Sequence, residues 1–129
     1  MKVFRFMSKE EFEKFKKGEE LVNNKVHTGH TTSIGFCFIN IEDFEPEYAY
    51  HFLSGIVSPD ICAIFETDEQ LNRSQGTYAT PYGDWFDSFV ATEYCPKKYS
   101  NKNFKLLRYA GSPTINDDFE WNFEWKSAP

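Results

Sequence analysis

Lys2-Val3-Phe4-Arg5-Phe6 opens the chain and runs almost directly into Ser8-Lys9-Glu10-Glu11-Phe12-Glu13-Lys14-Phe15. The first stretch reads as a strand. Successive side chains of a strand alternate between its faces, so Arg5 stands opposite to Phe4 and Phe6. Ser8 followed three residues later by Glu11 is a capping-box pattern, which starts a helix. That helix is predicted to run through Lys17. Phe12 and Phe15, three apart, share its buried face, and Gly18 is a natural residue to end it.

The same strand-then-helix grammar recurs once. Ile34-Gly35-Phe36-Cys37-Phe38-Ile39 is apolar on both faces and reads as a central strand. Pro46 suits the first turn of a second helix, with Ala49, Phe52, Leu53 and Ile56 on its inner side. Ser58-Pro59-Asp60 ends that helix before another strand, Ile61 to Glu66. Residues 67–88 are turn-rich and aromatic, and a loop of that length in a small domain is often functional. Strands are expected again over Phe89 to Tyr94 and Phe104 to Tyr109. In the tail Phe119-Glu120-Trp121-Asn122-Phe123-Glu124-Trp125, strict alternation places all four aromatics on one side of a strand. The expectation is one α+β domain over residues 1–129, with a small mixed or antiparallel sheet and two early helices. Residues 113–129 form a tail that caps the sheet or binds a partner.

Composition narrows the class. A chain of 129 residues, 40% hydrophobic and 19% aromatic, can bury a core without disulfides. The net charge of -6 argues against broad capture of nucleic acid. The charge is uneven. From Asn40 to Asn72 there are acids and no Lys or Arg, whereas Lys97, Lys98, Lys102, Lys105 and Arg108 form a basic stretch free of acids. Those stretches read as two solvated faces or as a contact for a phosphate or an acidic partner. Cys37, Cys62 and Cys95 form no close pair, which fits a reducing compartment and predicts a cytoplasmic protein. No apolar run is long enough to span a membrane.

Chemistry-bearing residues are few. Arg5 can hold a pyrophosphate with its planar fork, or make a salt bridge on the sheet. Thr31, Thr32 and Ser33 precede the apolar strand, where hydroxyls can orient a ribose or bond backbone. Glu93 ends Phe89-Val90-Ala91-Thr92 and can stabilise positive charge developing in a transition state, or simply face solvent. His27 and His30 have no third ligand at useful spacing, so a metal site is not expected. His30 can instead contact a diphosphate or ribose. His51 reads as a packing or surface residue of the second helix. Cys95, beside Lys97 and Lys98, lies where a thiolate is favoured.

The order Arg5, Thr31-Thr32-Ser33, Glu93 resembles the Arg-Ser-Glu arrangement of ADP-ribosyltransferase-like domains. The resemblance implies an NAD-cleaving enzyme with Glu93 as its catalytic residue. It implies that Arg5, Thr32 and Ser33 hold the dinucleotide, which His30 can contact from its loop, and that Phe36, Tyr48 or Tyr50 lies against nicotinamide. The chain departs from that family in its first hydroxyl, Thr31, and in Ala91, which stands where a Gln or Glu often precedes the catalytic glutamate by two. The second departure weakens the case for arginine as acceptor. The alternative expectation is a noncatalytic inhibitor or adaptor that uses its acidic stretch and aromatic tail to bind a protein. A third is an oligomerising domain paired through its last strand.

Overall fold

A computed structural model describes residues 1–22, 36, 38–53, 60–71, 93–94 and 96–128, without the side chains of residues 52, 53, 93 and 94. Strand β1 (Lys2–Met7) leads into helix α1 (Lys9–Lys16). The Ser8 hydroxyl accepts the Glu11 backbone N–H at 3.1 Å, which is one half of the capping box. At the other end, Lys17 caps the helix and Gly18 takes φ 82°, a left-handed conformation that costs glycine little. Acids in the first turn and lysines in the last complement the helix dipole.

The remaining elements are β2 (Leu21–Val22), β3 (Phe38–Asn40), α2 (Pro46–Leu53), β4 (Ile61–Thr67), β5 (Glu93–Tyr94), β6 (Lys98–Tyr99), β7 (Phe104–Ala110), β8 (Thr114–Ile115), β9 (Trp121–Asn122) and β10 (Lys126–Ser127). Six strands form the main sheet in the order β10-β7-β4-β1-β3-β5. β2 pairs with β6, and β8 with β9. All described pairings are antiparallel. The α+β class therefore holds, with an antiparallel sheet that dominates the described chain and helices interleaved among strands.

Alternation along β1 divides the core in two. Val3 and Met7 pack under α1 with Phe12, Phe15, Phe36, Phe38, Phe65, Tyr99 and Phe104. Phe4 packs on the opposite face with Ile39, Ala49, Tyr50, Ile64 and Phe123. Aromatics build most of the first cluster: Phe38 stacks on Phe104 at 4.7 Å and meets Tyr99 edge-on at 5.2 Å. Rings of this size bury large areas and prefer such offset or perpendicular contacts, so most of the described aromatics are spent in packing.

The tail corrects one expectation. Trp121, Phe123 and Trp125 do pack against the α2 side of the sheet. Tyr50 meets Trp121 and Phe123 edge-on at 4.9 and 5.7 Å. Phe119 does not join them: it is 82% exposed and has φ 61°. The alternation breaks there because Phe119 belongs to the turn between β8 and β9, not to a strand. The expected helix-face residues Phe52, Leu53 and Ile56 lie outside the described side chains, as do Ile34, Gly35 and Cys37 of the expected central strand.

Candidate functional site

Arg5 sits mid-strand in β1, in register with Ala63 of β4. Its side chain projects towards α1, on the face opposite to Phe4, and it is 18% exposed. Its Nε donates to Glu11 Oε2 at 2.7 Å and its Nη2 to Glu11 Oε1 at 2.9 Å. The Tyr99 hydroxyl donates to the same Oε2 at 2.5 Å. The guanidinium also lies over Phe36, 5.0 Å from the ring centroid, and 6.0 Å from that of Phe38. Such stacking suits a planar, weakly hydrated cation.

Two consecutive elements and one distant strand meet at this cluster. β1 supplies the cation, the first turn of α1 the carboxylate, and β6 the phenol. Burial alone pushes the Glu11 carboxyl up, but the Arg5 hydrogen bonds and charge, helped by the Tyr99 hydroxyl, outweigh it and leave Glu11 below its ordinary value. Burial, and then the Glu11 charge, push the Tyr99 phenol well above its ordinary value. The cluster is therefore ionised at Arg5 and Glu11 and neutral at Tyr99 across the physiological range. Glu11 was legible in the sequence only as a capping residue, and Tyr99 carried no signal of its own. No local pattern links positions 88 residues apart.

The other expected site residues divide as follows. Phe36 is buried in the α1-side cluster, edge-on to Tyr99 at 4.8 Å. Tyr50 is buried in the α2-side cluster, against Phe6 at 5.8 Å. Tyr48 is half exposed and stacks on Phe44. The structure thus places Phe36 and Tyr50 on opposite faces of the sheet and does not bring them together. His30, Thr31, Thr32 and Ser33 lie outside the described residues, as do His27, Cys37 and Cys95. His51 is exposed at the end of α2. Cys62 is a buried free thiol in β4, raised well above its ordinary pKa by burial and the Glu47 charge, hence inert.

Glu93 is described at the level of its backbone, in β5. It stands in register with Ile39, which is in register with Phe4, which is in register with Ile64. Arg5 occupies the neighbouring row. The strand order has a simple consequence. The strand carrying Arg5, the strand preceded by Thr31-Thr32-Ser33 and the strand carrying Glu93 are immediate neighbours, in that order, as β1-β3-β5. The backbone tie is continued by the Phe36 N–H, which donates to the Pro96 carbonyl at 2.6 Å.

On the α2 side an open groove of about 450 Å³ is lined by Glu45, Glu47, Ile64, Arg108 and Trp125 among others. Trp125 Nε1 donates to Glu47 at 3.4 Å, and the Arg108 guanidinium lies 5.5 Å from the Trp125 ring. None of the described site residues lines this groove.

Comparison with protein-family models, with characterised proteins and with solved structures found no match. Among the described residues, no helix is long and apolar enough to cross a membrane.

Proposed function

We propose that the chain is an ADP-ribosyltransferase-like enzyme that cleaves NAD at the nicotinamide–ribose bond, with Glu93 as its catalytic carboxylate. The observation that carries this reading is the adjacency of β1, β3 and β5. Arg5 and Glu93, 88 positions apart, lie on β1 and β5, the two strands that flank β3, and β3 is the strand that follows the hydroxyl cluster in the sequence. Glu93 acts by stabilising the oxocarbenium-like charge that develops on ribose as nicotinamide departs. Thr32 and Ser33, leading into β3, orient ribose and the carboxylate.

Arg5 stands one register row from the row of Glu93, on the sheet face opposite to that row's Phe4, and has a separate task in this reading. The Arg5 fork is already engaged by Glu11, and its guanidinium lies over Phe36 and Phe38. Arg5 is therefore a positioning residue that braces the start of β3 against β1 and α1. This reading assigns it no contact with the diphosphate. The acceptor of the ribosyl group is left unassigned.

The test is nicotinamide release from NAD by the wild-type chain and by Glu93→Gln. The variant should keep its fold and its NAD affinity and lose release by at least a hundredfold. Equal release by both would overturn the assignment. The noncatalytic, protein-binding reading is favoured by one separate observation, the exposed acidic hairpin between β8 and β9.

A further inference from the structure

The β8–β9 hairpin loop is held by four internal hydrogen bonds. Asn116 N–H donates to the Glu120 carbonyl at 2.9 Å, and Phe119 N–H donates to the Asn116 carbonyl at 3.0 Å. The Asn116 side-chain oxygen accepts the backbone N–H groups of Asp118 and Glu120, both at 2.9 Å. The five-residue loop is thus tied from inside by one asparagine, and Phe119 is held at its tip at φ 61°.

The side chain so displayed is large and apolar. Phe119 is 82% exposed and Ile115, on the adjoining strand, is 51% exposed. By contrast, Trp121 in β9 is packed against Tyr50, so the base of the hairpin is anchored while its tip projects. Around the tip, Asp117, Asp118, Glu120 and Glu124 are all exposed, and residues 109–125 contain no Lys or Arg. A rigid aromatic anchor inside a ring of one charge is how protein interfaces combine affinity with partner choice. The sign of that charge selects the occupant, because nucleic acid and anionic lipid are repelled by it.

We infer that the 115–120 hairpin is a docking element for a partner protein whose contact surface is basic and contains an apolar pocket for Phe119. This inference uses no residue of the proposed catalytic site, so it stands or falls independently of the enzyme reading. Because the loop is preorganised, little chain order remains to be lost on binding.

The test uses two synthetic helical peptides of equal length and apolar content, one lysine-rich and one glutamate-rich. Each is titrated calorimetrically into the full chain, as wild type and as Phe119→Gly. Glycine adopts the left-handed conformation readily, so the variant should melt at or above the wild-type temperature. The expected result is saturable binding of the lysine-rich peptide to wild type, at least tenfold weaker in the variant, with no binding of the glutamate-rich peptide. Equal binding of the lysine-rich peptide to both proteins would reduce the effect to bulk charge and overturn the inference. So would equal binding of both peptides, or no binding of either.

Discussion

Arg5 and Glu11 are joined by two parallel hydrogen bonds, 2.7 and 2.9 Å long, that tie the centre of the first strand to the first turn of the first helix. The pair is short in sequence but tertiary in effect, because Tyr99 closes it from a strand near the other end of the chain. Removing either charge leaves its partner with poor access to water. Arg5→Ala or Glu11→Gln should each lower stability by about 2 kcal/mol, below the 3–5 kcal/mol of a fully buried pair because some exposure remains. The double variant should cost much less than the sum, since the two share one interaction. Denaturant melts of the four proteins measure this, and strict additivity would contradict it.

Acid should destabilise the protein partly through this pair. The folded-state pKa of Glu11 lies below its ordinary value, so its contribution is fully present above that value and is lost as pH falls through the folded one. Stability measured from pH 6 down to pH 2 should therefore fall less steeply in Glu11→Gln than in wild type. Parallel profiles would show that Glu11 titrates normally.

Alkali should act through Tyr99. Its folded pKa is raised, so the unfolded chain ionises first and stability is lost as pH rises above about 10, the ordinary phenol value. Tyr99→Phe cannot ionise and should remove that part of the slope, at the cost of one hydrogen bond at neutral pH. An unchanged alkaline slope in the variant would contradict the assignment.

The role given to Arg5 separates from a phosphate-clamping one by substitution of its partner. If Arg5 braces β3, Glu11→Gln and Arg5→Ala should weaken NAD binding to a similar degree. A clamp freed from Glu11 would instead bind diphosphate more tightly, so a gain of affinity in Glu11→Gln would contradict the bracing role.

Packing of the α1-side core gives a control outside the site. Phe38 is fully buried among Phe65, Tyr99 and Phe104. Phe38→Ala should cost about 3–5 kcal/mol, as lost burial and a residual cavity add together. A loss below 1 kcal/mol by denaturant melt would mean that the aromatic cluster can collapse to fill the space.

The elements that were legible in the sequence are those with local signals. Ser8, Glu11 and Gly18 punctuate α1; Pro46 opens α2; apolar runs mark β1, β4 and β7. The pairings β2–β6 and β8–β9 were not legible, because two-residue strands carry no period to detect. Phe119 misled for a related reason. It extends the alternation of Trp121, Phe123 and Trp125 perfectly, yet the Asn116 side chain captures the intervening backbone N–H groups and turns the chain before a strand can form. Of the candidate site, the opposed facing of Arg5 and Phe4 followed from alternation alone. The engagement of Arg5 by Glu11 and Tyr99 did not, since it depends on tertiary contacts that bring β6 and α1 together. Phe36 and Tyr50, two of the alternatives for an aromatic against nicotinamide, lie in separate cores, a consequence of the sheet standing between them.

The most direct measurement is calorimetric titration of NAD into wild type and Glu93→Gln, followed by quantification of free nicotinamide in each cell. The account predicts saturable binding to both and nicotinamide only from wild type. Folded wild-type protein that binds no NAD would contradict it.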